Sequence, residues 1–229
     1  MKISGFQKMT LLDFPGKVAC TIFTFGCNLR CPFCHNASLV LGGATESHTE
    51  EEILSYLEKR KGLLDGVCIT GGEPLLQSDI RDFIKKIKAL GYAVKLDTNG
   101  CYPEKLKALV NDGLVDYVAM DIKNCLDEYG KTVGIKDFDT APIKESIEFL
   151  VNGNVEFEFR TTVVKELHST NGIKALAEEI KGAKRYFLQS FVDSGDLIGE
   201  NLSAHDKETL EKMKAEAQKT LNIVEIRGI

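Results

Sequence analysis

Two patterns of hydrophobic residues alternate along the chain. Short runs of β-branched and aromatic residues, such as Val18–Phe25 and Val67–Thr70, predict buried strands. Between such runs, apolar residues recur at helical spacing, and the clearest helix places on one face Ile80, Phe83, Ile84, Ile87 and Leu90. Gly91 follows and is predicted to end that helix. Alternating strands and helices along a chain are typical of an α/β fold.

The remaining elements continue the alternation. Strands are predicted at Ala93–Asp97, Tyr117–Asp121, Glu156–Val164, Tyr186–Gln189 and Ile223–Ile226. Helices are predicted at about Thr49–Arg60, Pro103–Asn111, Ile143–Val151 and Ile173–Ile180, and a last one runs from a cap at Ser203 to Leu221. The stretch Asn124–Thr140 is expected to be irregular. This order implies right-handed crossovers and a parallel sheet, with about six βα units, too few for a closed barrel of eight.

Length and composition fit a single domain over residues 1–229. Hydrophobic residues make up 43% of the chain and charged residues 28%, which is typical of a globular protein with a real core. The net charge of −5 is spread along the chain, and the lack of a basic run argues against a nucleic-acid partner. The N-terminus lacks an apolar signal core and no apolar run approaches membrane length. A cytoplasmic protein without membrane contact is therefore expected.

Three cysteines, Cys27, Cys31 and Cys34, follow the first predicted strand within eight residues, and His35 comes directly after them. Thiolates this close on an irregular loop favour a soft metal site. The spacing leaves several interpretations open: structural zinc with His35 as fourth ligand, an iron–sulfur cluster with one open iron, a redox dithiol formed by Cys31 and Cys34, or plain structural cysteines. The total of seven cysteines is odd, which argues against a disulfide framework.

The other four cysteines are scattered along the chain. Cys20 and Cys68 lie in apolar strand runs and are expected to be small buried side chains. Cys101 and Cys125 follow predicted strand ends, and the sequence does not decide between burial and a site for these two.

Polar residues and glycines gather where the predicted strands end. In chain order these positions hold Gly71-Gly-Glu-Pro74, Asp97-Thr-Asn-Gly100, Asp121-Ile-Lys123, Arg160 within its strand, and Gln189-Ser190. Parallel α/β folds bind ligands at the carboxyl ends of their strands, so these residues predict a ligand pocket. Asp97, Thr98 and Asp121 could gather a hard cation there, although acids at such positions also cap turns.

The cysteine motif resembles that of a known enzyme family. Cys-x3-Cys-x2-Cys after an apolar strand, with Phe33 before the third cysteine, is similar to the signature of radical S-adenosylmethionine (SAM) enzymes. The flanking motifs Asp13-Phe-Pro-Gly16, Phe25-Gly-Cys27 and Cys34-His-Asn36 resemble those of the activating enzymes of glycyl-radical enzymes. The similarity is greatest to the activase of anaerobic ribonucleoside-triphosphate reductase, with the pyruvate formate-lyase activating enzyme a relative, and it covers about residues 1–192.

The resemblance implies a fold, cofactors and a reaction. The fold would be a partial (β/α)6 barrel with a parallel sheet. Cys27, Cys31 and Cys34 would hold a [4Fe–4S] cluster whose open iron binds the methionine end of SAM. Reductive cleavage of SAM would give a 5′-deoxyadenosyl radical that takes a hydrogen from a glycine of a partner enzyme, with anaerobic ribonucleotide reductase the expected partner. A flavodoxin- or ferredoxin-type protein would supply the electron.

The resemblance also implies which residues meet SAM. They are Phe33, Cys34, His35, Gly71, Gly72, Glu73, Pro74, Asp97, Thr98, Asp121, Ile122, Lys123, Arg160 and Gln189. Lys123 and Arg160 suit a carboxylate or the ribose, and Glu73 is expected to hold its loop rather than touch the ligand. At Gln189 the chain differs from the pyruvate formate-lyase activating enzyme, which has a SAM-contacting histidine on that side. His48, His168 and His205 are interpreted as surface residues.

Asp13 distinguishes a protein substrate from a small one. In the activases that the chain resembles, the matching aspartate meets the glycine loop of the partner, whereas Asp, Pro and Gly together also form ordinary turns. Two alternatives stay open beside the activase. One is a radical SAM enzyme acting on a small molecule, as in modified-nucleoside synthesis, and the other is a zinc-stabilised binding module using the three cysteines and His35.

Overall fold

The computed structural model describes residues 1–42 and 47–228. Its strands are β1 Ile3–Thr10, β2 Ala19–Thr24, β3 Gly66–Gly71, β4 Ala93–Thr98, β5 Tyr117–Asp121, β6 Glu156–Val163, β7 Tyr186–Ser190 and β8 Val224–Arg227. Its α-helices are α1 Ala37–Leu41, α2 Glu50–Lys59, α3 Ile80–Ala89, α4 Pro103–Asn111, α5 Tyr129–Thr132, α6 Ala141–Asn152, α7 Thr170–Glu179 and α8 Lys207–Ala217. Single 3₁₀ turns span Pro74–Leu76 and Leu126–Glu128.

The chain divides into two compact units. The first comprises Met1–Asn28, Ser38–Thr98 and Tyr102–Ala119, and the second comprises Leu29–Ala37, Asn99–Cys101 and the chain from Met120 onward. The boundary passes through β5, so each unit contains part of that strand.

The first unit contains a sheet in which β2, β3 and β4 run parallel. The register is regular from Ala19 beside Gly66 to Thr24 beside Gly71, and from Gly66 beside Ala93 to Ile69 beside Leu96. On the other side of β2, β1 pairs antiparallel with two irregularities in its register. β1 was not predicted, because its apolar residues alternate only weakly with polar ones and residues 7–9 are exposed.

Helices α2 and α3 of the first unit contact each other. The sequence explains both helices, through a capping residue in α2 and an apolar face in α3. Thr49 caps α2, since its hydroxyl accepts from the Glu52 N–H while the Glu52 carboxylate accepts from the Thr49 N–H. This reciprocal arrangement satisfies two amide groups that a helix start leaves unpaired. Helix α3 buries the predicted apolar face of Ile80, Phe83, Ile84 and Ile87.

The second unit contains β6, β7 and β8, which also run parallel. Phe159 lies beside Tyr186 and Val163 beside Ser190, while Tyr186 in turn lies beside Val224. Helices α7 and α8 contact each other, and α8 contacts β7 and β8. Most apolar residues of these strands and helices are buried, so this unit has a core of its own.

The α/β fold with a mostly parallel sheet is confirmed, and the predicted strands and helices agree closely with the observed ones. Two details were wrong. Helix α8 is capped by Asp206, whose carboxylate accepts from the Thr209 N–H at 2.7 Å, while Ser203 donates to Glu166 instead. The stretch Asn124–Thr140 is not wholly irregular, since it contains α5 and a 3₁₀ turn. Among the described residues, no helix has the length and apolar character needed to cross a membrane.

Candidate active site

The cysteine motif lies on irregular chain between β2 and α1. Cys27 and Cys34 are half-buried, Cys31 is buried, and none of the seven cysteines forms a disulfide. The Cys34 N–H donates to the Cys31 carbonyl at 3.0 Å, which makes a tight turn between these two thiols. Within residues 1–42 and 47–228, no three His, Cys, Asp or Glu side chains are grouped as a metal site.

The chemistry of the three thiols nevertheless suits a soft metal. A cysteine binds metal as the thiolate, so a ligand must be able to lose its proton. Cys20 cannot do this easily, because burial raises the pKa of its thiol to about 12. Cys20 and Cys68 are both fully buried, as predicted. The thiols of Cys27 and Cys34 are reduced and partly exposed on irregular backbone. Three cysteine thiolates are a donor set of the kind that holds iron–sulfur clusters.

Phe33 and His168 form a buried pair in the second unit. Their rings meet edge to face with centroids 6.0 Å apart, and Phe33 is buried. His168 is only 3% exposed, so its interpretation as a surface residue was wrong. It lies directly before Ser169, the cap of α7, and its ring lies 2.7 Å from the carbonyl oxygen of Lys123. Burial is the main cause that lowers the pKa of its imidazole.

The Gly71-Gly72 pair allows two stretches of backbone to approach closely. Gly71 has φ of +115°, and a Cβ on Gly72 would stand 1.9 Å from the carbonyl oxygen of Gly26. The Gly72 N–H donates to Thr24, and the Glu73 N–H donates to Gly26 at 2.8 Å. These glycines therefore fasten the end of β3 to the residues that lead into Cys27.

Glu73 is a fully buried carboxylate at the turn that Pro74 continues. One carboxylate oxygen accepts from the Leu75 N–H at 3.0 Å and from the Thr98 hydroxyl at 2.9 Å. These two bonds tie the turn to the end of β4. Glu73 thus holds the loop in place.

Asp97, at the end of β4, binds a buried lysine of the same strand. The Lys95 ammonium donates to the Asp97 carboxylate, and the Cys68 sulfur lies 3.7 Å from the same carboxylate oxygen. Lys95 was not predicted as a site residue from the sequence, because a lysine in a strand pattern is normally a solvated residue.

Asp121, Lys123 and Arg160 form one ion cluster in the second unit. Arg160 Nε donates to one Asp121 oxygen at 2.9 Å, and Lys123 Nζ to the other at 3.1 Å. Burial alone would raise the pKa of the Asp121 carboxyl, but the charges and hydrogen bonds of Arg160 and Lys123 outweigh it and lower the pKa to about 2. Between them, Ile122 is buried and its N–H donates to the Arg160 carbonyl at 2.8 Å.

Asp13 lies in the first unit, directly before a turn. The Lys17 N–H donates to the Phe14 carbonyl, with Pro15 and Gly16 (φ +71°) between them, which is the pattern of a type II turn. The turn interpretation thus holds for residues 14–17. The Asp13 carboxylate itself accepts a hydrogen bond from the Thr21 hydroxyl of β2.

A partly open cleft of about 170 Å³ lies in the second unit where β6, β7 and β8 end. Thr162, Gln189 and Arg227 are neighbours in register across the three strands, and His35 completes one side. Burial and the nearby charge of Lys123 lower the pKa of His35, which favours a neutral ring.

Arg227 is a cleft residue that was not predicted from the sequence. It donates to both oxygens of the buried Glu158 at 3.0 and 3.1 Å, and its guanidinium lies 3.3 Å from the centre of the Phe187 ring. The sequence did contain a signal for a polar face on β6. Glu158, Arg160 and Thr162 occupy alternate positions of that strand, so their side chains share one face of the sheet.

These observations describe an α/β fold with a reduced cysteine motif and ionic residues at strand ends. A family model described as the radical SAM superfamily matches residues 21–169, more than half of the chain. The chain belongs to the radical SAM superfamily.

Curated relatives narrow the place of the chain within that superfamily. A glycyl-radical enzyme activating enzyme of Methanocaldococcus jannaschii is 33% identical over 99% of this chain and 96% of its own length. The pyruvate formate-lyase-activating enzyme of Clostridium pasteurianum is 32% identical over 80% of this chain and 77% of its own length. The pyruvate formate-lyase 1-activating enzyme of Escherichia coli is 31% identical over 71% and 68%. These three relatives are activating enzymes of glycyl-radical enzymes.

Solved structures agree on the fold. QueE from Escherichia coli has a TM-score of 0.56 at 15% identity and covers 99% of this chain and 93% of its own. SuiB of Streptococcus suis, bound to S-adenosylmethionine, has a TM-score of 0.69 at 15% identity over 89% of this chain. The chain spans about half the length of SuiB, 48%. At such identities these structures support the fold alone.

Proposed function

We propose that the protein is a radical SAM activase that generates a glycyl radical on a partner enzyme. The observation that carries this proposal is the Cys27, Cys31 and Cys34 motif in a chain whose similarity to an activating enzyme extends over 99% of its length. Radical SAM chemistry requires a [4Fe–4S] cluster, and three thiolates would leave one iron open for SAM. Residues 1–229 would work as one radical SAM domain.

The residues of this chain would bind and orient, while the cofactors would supply the chemistry. Cluster and SAM, once bound, would provide the radical that removes a hydrogen atom from a glycine. In the second unit, Lys123 and Arg160 would bind the carboxylate or ribose of SAM, with Asp121 holding both side chains in position. In the same unit, Phe33, His35 and Gln189 would meet the nucleoside part.

Residues of the first unit would act on the same ligand by shaping the backbone. Gly71 and Gly72 hold the end of β3 against Gly26, directly before the first cysteine. Their turn would present its backbone to the amino group of SAM, with Glu73 and Pro74 keeping the turn in shape. Asp13 would accept N–H groups from the extended glycine loop of the partner.

Anaerobic ribonucleoside-triphosphate reductase is the partner that we propose, with a flavodoxin- or ferredoxin-type protein as the electron donor. The support is the resemblance of the words around Asp13 and Cys34 to the short activases of that reductase. We do not propose an inorganic cation beside Asp97 and Asp121, because each carboxylate already binds at least one protein cation.

The test is anaerobic reconstitution with iron and sulfide, followed by reduction in the presence of SAM. The proposal predicts a [4Fe–4S] chromophore and the formation of methionine and 5′-deoxyadenosine. Cys31→Ala should lose both, whereas the matched control Cys20→Ala removes a buried thiol and should retain both. A protein that takes up zinc and no iron would favour the zinc-stabilised module instead. A full cluster signal in Cys31→Ala would contradict the assignment of Cys31 as a cluster ligand.

A further inference from the structure

Lys95 is a charged side chain in the interior of the first unit. Its side chain is 2% exposed, although lysine is almost never fully buried without a partner. It lies on β4, and its neighbour in register on β3 is Cys68. Removing an ammonium ion from water costs several kcal/mol unless an anion compensates it.

Asp97 is the anion that compensates Lys95. The two residues are separated by one position on β4, so their side chains leave the strand on the same face. The Lys95 ammonium donates to Asp97 Oδ1, and the Asp97 side chain is itself only 13% exposed. The Cys68 sulfur lies 3.8 Å from the ammonium and 3.7 Å from that same oxygen.

This arrangement changes the expectation for the end of β4. A carboxylate at that position could gather an inorganic cation, but Oδ1 of Asp97 is already bound by a cation that the chain supplies. The ammonium is fixed there by the strand, since Cys68 packs beside it in register. In the second unit, Asp121 likewise binds the cations of Arg160 and Lys123.

We propose that Lys95 is a positioning residue whose ammonium takes the place of a bound metal cation at Asp97. It neutralises the carboxylate and fixes its direction, so that Asp97 is ready to orient SAM without an added ion. The inference rests on the proposed function insofar as Asp97 serves SAM. The ion pair of Lys95 and Asp97 is a property of the chain alone.

The first measurement is calorimetric SAM binding to the cluster-loaded protein, in potassium or sodium salts and in a tetramethylammonium salt. The wild-type dissociation constant should change less than about twofold between them. Lys95→Met keeps the length but removes the charge, so in tetramethylammonium it should bind SAM at least about tenfold more weakly, with partial recovery in potassium or sodium. Lys85→Met, on the exposed face of α3, is the control and should match wild type.

Two outcomes of this measurement overturn the inference. One is a wild-type protein that binds SAM but loses affinity when inorganic cations are removed, since an ion would then occupy the site. The other is a folded Lys95→Met whose affinity equals that of wild type in both salts. A wild-type protein that binds no SAM in any salt would contradict the proposed function, and the ion pair is then judged by the next measurement.

The second measurement needs neither cluster nor SAM. Melting temperatures are compared for wild type, Lys95→Met, Asp97→Asn and the double variant. Asp97→Asn strands a buried ammonium, so the double variant should melt higher than Asp97→Asn. Additive losses in the double variant would show that the two residues do not act as a pair and would overturn the inference.

Discussion

The imidazole of His168 connects the backbone of Lys123 to the backbone of Val164 in the second unit. Its Nε2 lies 2.7 Å from the Lys123 carbonyl oxygen, and its Nδ1 lies 3.0 Å from the backbone nitrogen of Val164. A neutral ring protonated on Nε2 satisfies both, because Nε2 donates and Nδ1 accepts. His168 therefore fixes the backbone of the residue whose ammonium binds Asp121.

This arrangement predicts a dependence of stability on pH. Burial lowers the pKa of His168 below its usual value, so the unfolded chain binds the proton more readily. The stability that the neutral His168 ring contributes is then fully present above about pH 6.5, and it is lost as the solution becomes more acidic. His168→Gln should cost about 1–3 kcal/mol at neutral pH, and that cost should shrink on acidification, as measured by urea unfolding of the metal-free protein.

His48→Gln is the matched control, since His48 lies outside this arrangement and should leave the pH dependence unchanged. An identical pH profile for wild type and His168→Gln would contradict the buried neutral ring.

Arg160 provides the test of SAM placement in the second unit. Arg160→Ala removes a charge-assisted contact of about 1.5–3 kcal/mol, so SAM affinity should fall by about one to two decades. The cluster spectrum should be unchanged. Arg185→Ala, which removes an exposed arginine paired with Glu156, serves as the control. Calorimetric SAM binding equal to wild type in Arg160→Ala would remove Arg160 from the site.

Regular periodicity made most of the fold predictable. The predicted bounds of Pro103–Asn111 and Tyr117–Asp121 agree with the observed α4 and β5. β1 escaped because it pairs through its backbone while its side chains stay largely polar or exposed. The cap of α8 was misplaced because serine and aspartate are both good caps, and the choice depends on Glu166, distant in sequence.

The candidate site was predictable where motifs are local and hidden where burial depends on register. The cysteine, Gly-Gly and Asp-Ile-Lys motifs could be recognised because the residues of each motif lie close together in the sequence. His168 and Lys95 were missed because titratable residues are normally solvated, and only the strand register places Lys95 beside Cys68. Arg227 was missed for the same reason, since its partner Glu158 lies on another strand.

Gly72 tests the close approach of backbones before the cysteine motif. In Gly72→Ala the new Cβ would meet the Gly26 carbonyl at 1.9 Å, so the backbone must move and stability should fall by about 3 kcal/mol or more. Gly113→Ala is the control, because no atom lies within 4 Å of its new Cβ and only the positive φ of +67° costs about 1 kcal/mol. Equal losses in urea unfolding would show that the contact of Gly72 with Gly26 is relaxed at little cost.

Asp13 distinguishes a protein substrate from a small one. Asp13→Asn keeps an oxygen that can accept from the Thr21 hydroxyl, so only the charge is lost. Cluster content and SAM cleavage without partner should be unchanged. Radical formation on the partner should slow, since each charge-assisted N–H bond contributes about 1.5–3 kcal/mol. An unchanged rate would leave Asp13 with only its structural hydrogen bond from Thr21.

The most direct test of the activase is electron paramagnetic resonance of the partner. Reconstituted protein, SAM, reductant and anaerobic ribonucleoside-triphosphate reductase from the same organism are mixed without oxygen, and the glycyl radical signal is followed. If the protein is this activase, the signal needs all four components and is absent with Cys31→Ala. Reductive cleavage of SAM by the wild-type protein without any radical on the reductase would contradict the proposed partner, and no radical on any glycyl-radical enzyme of that organism would contradict the activase itself.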